Sequence, residues 1–144
     1  MTIIELQKST FKKIEAEWFN YYHTLREIAT LREAIENPFD EDPEEVNIVK
    51  GANSVREPGD PTGRIATRLS TNKQLKYLTE ITDVIKQVYD ALPDDYRKMV
   101  ELRYWSKQKI TWESIASEVG VSERQARRWR NEIVKITADQ LGWR

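Results

Sequence analysis

From Phe11 to Ile35 the apolar residues fall at alternating steps of three and four. They are Phe11, Ile14, Trp18, Tyr21, Leu25, Ile28 and Ile35, with Arg32 the one polar interruption. A helix repeats every 3.6 residues and a strand every two, so this spacing lines one helix face. It predicts a helical arm over residues 3–36, either a coiled-coil seam or a hairpin broken at Asn20-Tyr21-Tyr22. Nothing in the chain alternates with period two over a strand length, so the fold class is expected to be all-α.

The arm should stop at Asn37-Pro38, because the residue before proline resists the helical conformation. Residues 37–60 then carry Pro38, Pro43, Pro58, Gly51 and Gly59 around the acidic runs Asp40-Glu41-Asp42 and Glu44-Glu45. No periodicity survives there, and the segment reads as a flexible acidic linker. Its carboxylates lack the His or glycine-turned spacing of a metal loop and read as solvated. Asp60-Pro61 restarts a helix, Asp as cap and Pro at the first helical position. Ile65, Leu69, Leu75, Leu78, Ile81, Ile85, Val88 and Leu92 line one face of this long helix over 61–92, with a bend expected near Ser70-Thr71-Asn72.

Residues 93–144 read as three helices. Pro93-Asp94-Asp95 opens the first, with Tyr96, Met99, Val100, Leu102 and Tyr104 as its stripe. Thr111 caps a short second one, which sets Trp112, Ile115, Ala116 and Val119 on one side. After the tight turn Val119-Gly120-Val121, Ser122 caps the third, with Gln125 at the N3 position of a capping box. At 100° per residue Ala126, Trp129, Ile133 and Ile136 fall inward, while Arg124, Arg127, Arg128, Asn131 and Lys135 fall outward. Guanidinium and amide groups are the types that pair with purine edges and phosphates. A merely solvated face would interleave both signs, yet Glu123 and Glu132 lie off the centre of this one. Gln125 and Arg130 stand at its edges. Trp112 and Trp129 are expected in the core, Trp143 as a helix-end contact, and the lone His23 as an ordinary helix residue.

The formal net charge of −1 conceals a gradient. Residues 1–60 hold 7 Lys/Arg against 13 Asp/Glu, whereas residues 94–144 hold 11 against 8. The basic end is the one that fits a polyanion, since phosphate neutralisation dominates nucleic-acid affinity. There is no cysteine, which excludes disulfides, thiolate zinc sites and cysteine nucleophiles, and fits a reducing cytoplasm. No apolar run is long enough to span a bilayer, and charges at Glu5, Lys8, Lys12 and Lys13 interrupt any signal-peptide core. One histidine, no Gly-rich phosphate loop and no serine-nucleophile motif argue against an enzyme, and no metal or cofactor is expected.

Two resemblances follow from these residues. Leu92-Pro93-Asp94-Asp95-Tyr96, Glu101-Leu102-Arg103-Tyr104, Ile115-Ala116 and Val119-Gly120-Val121-Ser122 resemble region 4 of bacterial sigma factors. That likeness implies a helix-turn-helix whose last helix reads the major groove of a promoter. Over more of its length the chain is similar to phage late-gene activators of the RinA/ArpU type. The likeness lies in a helical arm, a Gly/Pro linker, Asp60-Pro61-Thr62-Gly63-Arg64, Thr111-Trp112-Glu113-Ser114-Ile115-Ala116 and Arg128-Trp129-Arg130-Asn131-Glu132-Ile133.

The reading that results is a sequence-specific activator of phage genes that binds double-stranded DNA, with host RNA polymerase as a further partner. Arg124, Arg127, Arg128 and Asn131 would read bases or adjacent phosphates, with Lys135, Gln125 and Arg130 behind them. Lys107, Lys109 and Thr111 would hold the DNA backbone. The rivals are a small terminase subunit, which also joins a helix-turn-helix to an oligomerising part, and a sigma-like factor. The apolar seam of the arm needs a partner, either the long helix or a second chain. A homo-oligomer held by residues 1–36, with the helix 61–92 as a further candidate surface, is therefore expected, leaving a C-terminal module able to fold without the arm.

Overall fold

The computed structural model describes residues 5–36 and 61–144. Among them lie six helices and no strand: α1 Lys8–Phe19, α2 Tyr21–Glu36, α3 Pro61–Ala91, α4 Asp94–Tyr104, α5 Trp112–Val119 and α6 Glu123–Leu141. The fold is all-α. The linker expected over 37–60, and with it the Asp60 cap, lies outside the described residues.

The arm breaks at Asn20, whose backbone N–H still bonds the Ala16 carbonyl. Residues 5–7, expected to be helical, precede α1 instead. The break shifts the phase of the seam. Ile14, Trp18 and Ile28 are buried, but Thr24 takes the inward place expected of Leu25, which is exposed. α3 runs without a break through residue 71, where a bend is expected. The Thr71 hydroxyl donates to the Thr67 carbonyl at 2.8 Å, a bond made inside the helix, so the run Ser70-Thr71-Asn72 does not interrupt it.

Two compact units divide the chain, and they do not follow the boundaries expected from sequence. One combines residues up to Tyr22 with Glu80–Arg144, and the other is His23–Thr79. Within the first, α1 packs on α6, and Ile14 and Trp18 share one core with Ile81, Ile85, Met99, Val100, Ile115 and Ile133. The partner of the α1 seam is thus neither a second chain nor the long helix alone. Trp18 is fully buried and donates its indole N–H to the Thr137 hydroxyl at 3.1 Å, and Trp105 donates its own to the Trp18 carbonyl at 3.0 Å. Residues 1–36 are therefore not a separable arm: their first helix is part of the C-terminal module.

In the second unit Thr24 and Ile28 are buried, His23 pairs with Glu27 at 2.9 Å one turn on, and Ile65 and Leu69 are exposed. The apolar face expected along α3 is therefore a core face only further on, from Ile81 to Val88.

Two caps and one glycine set the angle of the last helices. The Thr111 hydroxyl accepts the Ser114 N–H at 3.2 Å, and the Ser122 hydroxyl accepts the Gln125 N–H at 3.1 Å. Gly120 ends α5 at φ 83°, and its N–H and that of Val121 both bond the Ala116 carbonyl. A β-carbon there would meet no neighbour, so the demand for glycine comes from the backbone alone. Gly120→Ala should cost about 1–2 kcal/mol through the left-handed conformation, and Gly120→Asn less. Thermal denaturation of the two variants checks both the size and the order.

Candidate nucleic-acid interface

α6 is held down on one side by Ala126, Trp129, Ile133, Val134, Thr137 and Ala138. Trp129 stacks on Tyr96 with ring centroids 4.3 Å apart. The Tyr96 hydroxyl donates to Glu132 at 2.8 Å, and its phenol is pushed up to about 12 by burial and by that carboxylate. Ile136, expected inward, is exposed, and Val134 and Thr137 replace it. Steps of 3, 4 and 3 drift off a 3.6-residue repeat, and by Ile136 the drift has carried the residue off the buried face.

On the opposite side Arg124, Arg127, Arg128 and Asn131, together with Glu123, line one shallow, open hollow. All four are exposed, and Lys135 is exposed one turn further on. Arg127 pairs with Glu123 at 3.2 Å, with both side chains about half in solvent. Such a surface pair is worth roughly 0–1 kcal/mol, so an incoming phosphate or base can replace it at little cost.

The other expected contacts part company with this face. Lys107 and Lys109 are exposed in the loop between α4 and α5 and do not line the hollow. The Thr111 hydroxyl accepts one hydrogen bond from the Ser114 backbone and donates another to the Ser114 hydroxyl, so it serves as a cap. Gln125 is half-buried. Arg130, expected at the edge of the face, turns away from it. Its side chain is 17 % exposed and Nη1 donates to Glu15 at 3.3 Å.

Glu15 is the residue that sequence reasoning missed. Its side chain is 14 % exposed and accepts from three groups: Arg103 of α4 at 3.4 Å, Tyr104 at 2.7 Å and Arg130 of α6. Burial pushes the Tyr104 phenol well above its usual range, and the Glu15 charge adds to this, so Tyr104 remains a donor. The guanidinium groups of Arg103 and Arg130 lie over the Trp112 ring at 4.6 and 5.1 Å, and that of Arg127 at 5.9 Å. Trp112 is thus half-buried core on one side and a seat for cations on the other.

A family described as "Protein of unknown function (DUF722)" matches residues 12–139. The chain belongs to the DUF722 family. No curated protein and no solved structure matches it. The DUF722 match takes in α1 from its second turn as well as α5 and most of α6, so Glu15 and the hollow both lie within it. Among the described residues of this DUF722 chain, no group of three His, Asp or Glu could hold a metal ion. None of the described helices is long and apolar enough to cross a membrane.

Proposed function

We propose that this DUF722 protein binds double-stranded DNA in a sequence-specific way and activates transcription of phage genes, as its likeness to RinA/ArpU-type activators implies. One observation carries the reading. Three arginines and an asparagine, with Glu123 paired to one of the arginines, line a solvent-facing hollow on α6, while the far side of the same helix is anchored by buried residues. A reading helix needs that division: one face fixed on its partner helices, the other able to enter a major groove. Arg124, Arg127 and Arg128 supply the paired donors that match guanine O6/N7 or phosphate, and Asn131 an amide for a base edge. Host RNA polymerase is a second partner in this reading. A homo-oligomer belongs to it as well, because one such helix addresses few base pairs and a symmetric dimer supplies two half-sites. With Ile14 and Trp18 buried in the chain's own core, the face of α1 that carries them is not the surface that joins the copies.

The test begins by selecting preferred duplexes from a random library with the full-length protein. Arg127→Ala and Arg128→Ala should each weaken binding to the selected duplex by about 1–3 kcal/mol and leave the helical circular dichroism unchanged. Parent-like affinity in both variants would show that α6 does not read DNA.

A further inference from the structure

Arg130 sits among the cations of α6 yet faces α1, and it touches the hollow only through its neighbour. While Nη1 donates to Glu15 and the guanidinium lies over Phe11 and Trp112, Nε donates to Asn131 Oδ1 at 2.8 Å. Side chains at adjacent helix positions diverge by about 100°, so this bond forms only because the Asn131 amide leans toward Arg130. An amide oxygen and an amide nitrogen fill nearly the same space. A solvent-facing asparagine can present either one after a flip of its terminal torsion. A guanidinium offers only donors. The oxygen must therefore face Arg130, and the NH₂ group is the end of the amide left for a ligand in the hollow that Asn131 lines.

We infer that Arg130 is a positioning residue for base recognition, and that Glu15 of α1 is its anchor. Resting on the DNA-reading proposal above, this assigns Asn131 a fixed polarity. It offers its NH₂ to a base-edge acceptor, such as a purine N7, guanine O6 or thymine O4. A freed amide could turn its oxygen to the base as well, as in the bidentate pair with adenine N6/N7, and so would change which base is preferred. The Glu15 side chain is sheltered and holds Arg103 as well as Arg130, so the Arg130 guanidinium is fixed from behind and not drawn out to a phosphate.

The experiment repeats the duplex selection with full-length Asn131→Ala, Arg130→Ala, Arg130→Lys and the double variant Arg130→Ala/Asn131→Ala. Asn131→Ala identifies the base pair that Asn131 reads. Arg130→Ala should change the preference at that same base pair by about tenfold, toward adenine or to none, with the other positions unchanged. The double variant should be no less selective there than Asn131→Ala alone. Arg130→Lys keeps a cation beside Glu15 but has no Nε–H fork, and should change the preference at the same position. It also decides the matter if Arg130→Ala fails to fold. If the parent selects no sequence at all, the DNA-reading proposal fails and this one falls with it. If the parent selects a motif and the Arg130 variants keep its preference at the Asn131 position, the positioning role is overturned while DNA reading stands. An even loss of affinity across all sequences also overturns it, since that marks a phosphate contact or a packing role.

Discussion

Residues 61–144 alone should show no cooperative thermal transition, although they contain α4, α5, α6 and the whole of α3. The reason is in the core. Ile14 and Trp18 have no exposed surface and pack among Ile81, Ile85, Tyr104 and Ile133. Truncating a buried Trp typically costs about 3–5 kcal/mol and a buried Ile about 2–5 kcal/mol. Whole domains are stable by only about 5–15 kcal/mol, so losing both side chains together is comparable to the entire margin. The polar side adds to this. Removing Glu15 leaves Arg103 and Arg130 as sheltered guanidinium groups without their carboxylate, and breaking such a pair costs more than the pair contributes. Circular dichroism melts and limited proteolysis of the truncated and full-length chains check the claim. A truncated chain melting within a few degrees of the parent would show that α1 is dispensable. The milder variant Trp18→Ala should lose about 3–5 kcal/mol while remaining helical enough to measure.

The same residues show what could be read in advance and what could not. Helix starts and stops were legible where a single residue carries the physics. Thr111 and Ser122 cap as their side-chain chemistry requires, Gly120 takes the left-handed turn, and Asn20 breaks the arm. The solvent exposure of Arg124, Arg127, Arg128 and Asn131 was legible too, because helix phase is local, but the charge segregation was not: Glu123, expected off that face, lines the same hollow and pairs with Arg127. Packing across long sequence separations was not legible either. The seam of α1 announces that something must cover Ile14 and Trp18, but nothing in it points to α6, more than a hundred residues later. A glutamate beside an apolar stripe is the commonest of surface residues, so Glu15 carried no sign that two arginines and a tyrosine converge on it. Arg130 was placed at the edge of the reading face because phase alone cannot say which way a long side chain turns. Thr137 is a polar residue whose burial no sequence pattern announces. It is buried because its hydroxyl donates to the Ile133 carbonyl at 2.7 Å and accepts from Trp18, which leaves no part of it in need of water.

Raising the salt from 50 to 200 mM should lower the affinity of the full-length protein for its selected duplex about a thousandfold. The formal net charge of −1 would argue for a weak response if the chain acted as a uniform body. Counterion release depends instead on how many phosphates are neutralised where protein meets DNA, with a slope of about −0.9 per phosphate. Arg124, Arg127 and Arg128 line the hollow, and Lys107, Lys109 and Lys135 are exposed cations of the same C-terminal segment. With about three of these six cations on phosphate in each copy and the others on bases or in solvent, two copies on one site neutralise roughly six phosphates, and a fourfold change in salt shifts affinity by about three powers of ten. Arg103 and Arg130 stay out of this count because Glu15 holds them. Replacing Lys107 or Lys109 by Ala should weaken all duplexes alike and make the slope shallower by about one for each phosphate that is no longer neutralised. Arg130→Ala should leave the slope where it was. A flat salt response of the parent would mean that the basic face of α6 meets a protein and not a polyanion, and the excess of Lys and Arg beyond residue 94 would then need another explanation.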